Sequence, residues 1–145
     1  MLGILITGHG RFAEGLTSAI ELIAGPQNHY VCVNFEKEVK ELEEDLKEGL
    51  KALGACDGIL VFTDLQGGSP FKTVVELTLG KENVEVVTGT NLAMLAEAVM
   101  ARSFITDLRE LTDVVVQTGK EHVLRFEEEA LTIGLDEPED FSEGI

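Results

Sequence analysis

The stretch Leu2-Gly3-Ile4-Leu5-Ile6-Thr7-Gly8-His9-Gly10 decides the fold. Leu2–Thr7 is short, nearly continuously apolar and closed by glycine, and the pattern returns at Tyr30–Phe35, Gly58–Thr63 and Val84–Thr88. Strands covered on both faces read this way. The segments between them carry helical period. Phe12–Ala24 puts Leu16, Ile20 and Ile23 on one face and ends at Gly25-Pro26. Glu36–Leu53 repeats Val39, Leu42, Leu46, Leu50 and Leu53 against a charged opposite face, which predicts a surface amphipathic helix. Pro70–Leu79 has proline at the favoured first helical position and Ser69 in the N-cap place. Asn91–Arg102 is capped by Asn91, Thr106–Thr118 is stopped by Gly119, and His122–Phe126 is a short candidate strand.

Strands alternating with helices predict an α/β fold with a parallel sheet, right-handed crossovers and helices on both faces. Four or five strands favour the flavodoxin-like order 2-1-3-4 over the Rossmann order. In that order the chain leaves strands 1 and 3 towards opposite faces, and a crevice opens between their carboxyl ends. Ligands and chemistry belong there.

The 145 residues are 44% hydrophobic, enough for one domain with a core that needs no disulfide or metal staple. Eleven basic against 27 acidic residues leave a formal charge of −16, which argues against nucleic acid and anionic membrane as partners. The domain is expected over residues 1–126. Residues 127–145 hold eight acids and no base, and read as a solvated, partly disordered tail. Cys32 and Cys56 read as buried free thiols in a reducing cytosol. Neither a bilayer-spanning run nor a secretory signal is evident, so a cytoplasmic protein is expected.

Two loops meet at the crevice. Gly8-His9-Gly10 follows strand 1, and Asp64-Leu65-Gln66-Gly67-Gly68-Ser69-Pro70 follows strand 3. A carboxylate that accepts from one ring nitrogen of an imidazole fixes its tautomer and frees the other nitrogen as a nucleophile. His9 and Asp64 are the candidate pair. Gly8 and Gly10 strip side chains from beside the ring, which lets a bulky group approach. Gly67, Gly68 and Ser69 lead into a helix start, where backbone N–H groups and a hydroxyl suit a phosphoryl group without Lys or Arg. Taken singly, each has an ordinary reading: a packed histidine, a turn aspartate, loop punctuation. Their conjunction at the switch point carries the functional one. His29 reads as a surface residue and His122 as structural. Arg11 is open between phosphoryl contact, docking residue and surface charge.

Other chemistries lack their parts. The three His and two Cys show no metal-ligand spacing, and neither a Walker motif nor GxGxxG is present, so no metal or cofactor is expected. A response-regulator receiver would share the topology but needs an acidic Mg²⁺ cluster after strand 1, where Thr7-Gly8-His9-Gly10 stands.

Leu2–Gly10, Phe62-Thr63-Asp64-Leu65-Gln66-Gly67-Gly68-Ser69-Pro70-Phe71 and Val87-Thr88-Gly89-Thr90-Asn91-Leu92-Ala93-Met94-Leu95 together resemble the enzyme IIA component of the mannose family. This family belongs to the bacterial phosphoenolpyruvate-dependent sugar phosphotransferase system. The resemblance implies that His9 takes a phosphoryl group through Nε2 from the phosphocarrier HPr and passes it to enzyme IIB. Sugar is then phosphorylated during uptake through the membrane IIC/IID permease. It implies that Asp64 bonds the other ring nitrogen and that Ser69 lies by the phosphoryl group. It also implies a homodimer that exchanges a fifth, antiparallel strand, here His122–Phe126. Mannose-type members often carry Trp where this chain has Arg11 and Gln66. The Thr-Asp-Leu and Thr-Gly-Thr-Asn-Leu forms and the acidic tail are more similar to the N-acetylgalactosamine-type branch. Two alternatives share the histidine. One is a phosphorylation-dependent regulatory module, for which a chain ending at Ile145 is expected to leave no room for a DNA-binding or ATPase part. The other is the phosphodonor subunit of a dihydroxyacetone kinase, against which the Gly-Gly-Ser-Pro loop argues.

Overall fold

The computed structural model describes residues 1–128. Strands β1 (Leu2–His9), β2 (Tyr30–Phe35), β3 (Gly58–Thr63) and β4 (Val84–Val87) form a parallel sheet in the order β2-β1-β3-β4. Helices α1 (Phe12–Ala24), α2 (Val39–Ala52), α3 (Ser69–Thr78), α4 (Leu92–Ala101) and α5 (Leu108–Glu121) cover its two faces. The order 2-1-3-4 is the predicted one, and the resulting α/β sandwich places the ends of β1 and β3 side by side, with Thr7 opposite Thr63.

Successive strand residues point to opposite faces, and two cores result. Ile4, Ile6, Leu60 and Phe62 bury one face under α1, α4 and α5 through Ile20, Leu95 and Leu111. Leu5, Val33, Ile59 and Val61 bury the other under α2 and α3 through Leu42, Leu46 and Val74. This double burial is why the strands are apolar at nearly every position.

Arg102 closes the end of the sheet opposite the candidate loops. It is 5% exposed, and its guanidinium donates to the carbonyls of Leu2 (2.9 Å), His29 (3.0 Å) and Asn28 (2.5 Å) and to Gln27 Oε1 (3.1 Å). Burial lowers its pKa from the ordinary arginine value. No carboxylate is among these acceptors, so carbonyl dipoles alone hold the buried cation.

Several sequence expectations need correction. α3 begins at Ser69 with Gly68 as its N-cap, so Ser69 is the first helical residue and not the cap. α5 runs through Gly119 to Glu121, because this glycine serves a close approach: a Cβ there would stand 2.8 Å from Met94 Sδ. Residues 122–126 form no strand in the single chain, and Val123, Leu124 and Phe126 lie exposed there. A strand needs a neighbour, and none is present for this segment among the described residues. Cys32 is exposed and Cys56 half-buried, since β2 is an edge strand and its middle is left open. The acidic tail falls, but for Glu127 and Glu128, outside the described residues.

Candidate functional site

His9 is the last residue of β1, and Asp64 is the first after β3. Fifty-five positions apart, they meet because the two strands are neighbours. Asp64 Oδ2 accepts from His9 Nδ1 at 2.8 Å and also from the His9 backbone N–H at 2.8 Å. Its other oxygen, Oδ1, accepts the Leu65 N–H at 2.8 Å. Burial pushes the carboxyl up, but the donations from His9 and Leu65 outweigh it and hold the group below its ordinary value. Asp64 therefore stays ionised at neutral pH, an acceptor that keeps the proton on Nδ1. Nε2 is then the nitrogen with a free lone pair. The Asp64 side chain is 9% exposed and that of His9 45%, so the anchor is sheltered while the ring is open to a visitor.

The surroundings fix the ring. Phe35, paired with His9 in the sheet, lies 5.7 Å from it with the planes tilted by 58°. On another side runs the Gly68 backbone, where a Cβ would stand 2.6 Å from His9 Cε1 and 3.3 Å from Nε2. The loop and α3 thus reach the reactive edge because residue 68 has no side chain. Gly67 (φ 82°) and Gly10 (φ 57°) occupy left-handed backbone that glycine accepts without strain. Gly8 does something other than expected. Its missing Cβ makes room for Phe12 Cδ1 (2.6 Å) and Asp64 Cγ (3.0 Å), so it lets the carboxylate in and does not admit a ligand.

α3 starts beside the ring. Pro70 has no N–H, and the first helical bond here runs from Lys72 N–H to Gly68 O at 2.9 Å, which leaves the N–H groups of Ser69 and Phe71 at the open helix end. Arg11 is resolved as an ion pair: Nε and Nη2 donate to Glu14 Oε2 at 2.9 and 2.5 Å, and Asn34 donates to Glu14 Oε1 at 3.4 Å. The pair joins the N-cap residue to α1's first turn and is exposed, with Nη1 not engaged in it. His29 is exposed as expected, with Nδ1 3.8 Å from Cys56 Sγ, and the exposed His122 ring bonds the Thr118 carbonyl at 2.9 Å. Neither lies at the site. Phe35 and the Leu65 N–H had escaped sequence reading. Only the strand register could have pointed to Phe35.

Among the described residues no helix is long and apolar enough to cross a membrane, and no group of three metal-ligating side chains occurs. A family model described as "PTS system fructose IIA component" matches residues 3–116. The PTS system mannose-specific EIIAB component of Escherichia coli (strain K12) is 34% identical over 124 residues. That alignment covers 84% of this chain and 38% of the relative, so the chain spans well under half of that relative's length. The PTS system fructose-specific EIIA component of Bacillus subtilis (strain 168) is 25% identical over 131 residues, 85% of this chain and 90% of the relative. A crystal structure of the phosphotransferase system component EIIA from Streptococcus agalactiae superposes with a TM-score of 0.80 at 34% identity, covering 87% and 98% of the two chains. Sequence, sheet order and solved neighbours agree, and the chain belongs to the mannose-type EIIA family of the sugar phosphotransferase system.

Proposed function

We propose that this protein carries a phosphoryl group on Nε2 of His9, accepted from phospho-HPr and passed to enzyme IIB to drive sugar uptake through the IIC/IID permease. The observation that carries this reading is the 2.8 Å bond between His9 Nδ1 and the Asp64 carboxylate. It consumes one ring nitrogen and leaves the other as nucleophile. In the forward step the Nε2 lone pair attacks phosphorus, the donor's N–P bond breaks, and its electron pair returns to the donor imidazole. His9 keeps the Nδ1 proton and becomes a phosphorylated imidazolium whose positive charge faces Asp64. No proton has to move. Catalysis is then a matter of in-line placement and of dipoles that receive the equatorial oxygens. In this reading Ser69, Gly67, Gly68 and the free N–H groups at the start of α3 receive those oxygens, and the open space at Gly10 leaves room for the donor.

The protein works in the cytoplasm in this reading, and as a homodimer. Val123, Leu124 and Phe126 are 77%, 81% and 70% exposed, an apolar run that a partner copy would cover as an exchanged strand. Val123 stands with Thr88 and Gly89 at the end of β4, the edge this strand would extend.

The test is incubation with phosphoenolpyruvate, enzyme I and HPr. Acid-labile phosphate should appear on the protein, and His9→Ala should abolish it. Label on the His9→Ala protein would end this reading.

A further inference from the structure

β2 is the outermost strand of the sheet, and among the described residues nothing pairs with its free edge. The ladder shows which groups that edge presents. Ile4 donates to the His29 carbonyl, and Phe35 exchanges hydrogen bonds with Gly10. In a parallel ladder alternate residues turn both backbone groups to the same neighbour, so residues 31, 33 and 35 face inward. Tyr30, Cys32 and Asn34 turn their N–H and C=O outward.

Sheet edges are normally blunted by Lys, Pro, bulges or shortness. β4 is four residues long with Glu85 in it. β2, Tyr-Val-Cys-Val-Asn-Phe, has neither charge nor proline. Beside it runs a groove of about 500 Å³, bounded on the far side by α2. Eight consecutive residues, 31–38, line it. A groove that met one pleat face would be lined by alternate residues; this one follows the backbone edge itself. Its rim carries Glu36, Glu38, Glu41, Asp45 and Glu48 against a single Lys37.

We infer that the free edge of β2 is a docking site for an extended, Lys- or Arg-bearing segment of a partner protein, which adds to the sheet as a further strand. The backbone of Cys32 and Asn34 supplies the ladder, and the carboxylates of α2 select basic side chains. The residues beyond Arg125 carry the same sign of charge as that rim, so a basic segment of another protein is the better match. The inference does not rest on phosphoryl transfer, and His9→Ala should leave it intact.

The probe is a capped octapeptide alternating Lys and Val, titrated onto the full chain with amide exchange read by NMR. Exchange at Cys32 and Asn34 should slow, and affinity should fall as salt is added. The Glu/Val octapeptide, and a Lys/Val peptide methylated on alternate backbone nitrogens, should not protect these amides. Cys32→Pro removes one outward N–H and leaves the β1 ladder whole, so it should weaken binding roughly tenfold with the fold and the rate of phosphate labelling unchanged. Glu41→Gln/Asp45→Asn/Glu48→Gln, all on the exposed helix face, should weaken it without touching the strand. Unprotected amides, equal protection by the Glu/Val peptide, or wild-type binding by Cys32→Pro would overturn the proposal. So would self-association that protects these amides and is lost in Cys32→Pro, since the occupant would then be a second copy.

Discussion

Oδ2 of Asp64 accepts two hydrogen bonds from one residue, the ring and the backbone N–H of His9. The carboxylate therefore holds the imidazole by its ring and by its root. Asp64→Asn keeps the shape but loses the charge, and hydrogen bonds to charged groups contribute about 1.5–3 kcal/mol. Phosphoryl acceptance by His9 should slow roughly 10- to 100-fold in this variant, measured as single-turnover transfer from phospho-HPr. The same carboxyl makes stability depend on pH. Its pKa is lower in the fold than in the open chain, so its contribution is present above the unfolded value and is lost as pH falls through the folded one. The stability difference between wild type and Asp64→Asn, from urea unfolding, should be full at pH 7 and shrink below about pH 4.

Elements carry two further expectations, and both concern glycines. Gly68 has φ −76° and ψ 166°, backbone that alanine adopts, so Gly68→Ala costs the fold only about 1–2 kcal/mol, from the poorer N-cap and the displaced ring. Its Cβ would nonetheless collide with the His9 ring. Labelling of His9 should drop sharply while the protein stays folded with only a modestly lower urea midpoint; retained labelling would show that the ring has room to turn. At Gly119 the balance is reversed. An added methyl meets Met94 between α4 and α5, and overpacking of this sort costs about 1–3 kcal/mol, near the lower end since Met yields. Gly119→Ala should lower the urea midpoint with labelling of the folded protein unchanged. These two residues also mark where sequence reading stops. Gly119 looked like a helix stop because local pattern cannot register Met94 approaching from another helix. Gly68 was picked out as a phosphoryl donor, while its steric role toward His9 depends on a loop path that no spacing encodes. The strands, the order 2-1-3-4 and the meeting of His9 with Asp64 were legible, since doubly buried strands and switch-point topology are written in apolar runs and their connections. The exposure of Cys32 was not, because an apolar strand at the edge of a sheet reads like one at its centre.

At the scale of the whole molecule, the two ends of the sheet have separate tasks. The carboxyl ends carry His9 and Asp64; the other end is closed by Arg102 on three carbonyls and a side-chain amide. Of the four acceptors only the Leu2 carbonyl is fully buried, and that of His29 keeps the Ile4 N–H; a buried acceptor left without a donor costs about 1–3 kcal/mol, so Arg102→Met should destabilise the protein by about that much. The readout is a lower urea midpoint at unchanged slope. Labelling at His9 per folded molecule should be unaffected, because the missing bonds lie at the opposite end. A proportionate fall in labelling would show that the two ends are coupled.

The double grip of Asp64 on His9 ties the attitude of the ring to the alignment of the two innermost strands. Swinging the imidazole away would break its bond to that carboxylate. If His9 carries phosphate as proposed, donor and acceptor would each have to fit a ring that is already oriented before they arrive.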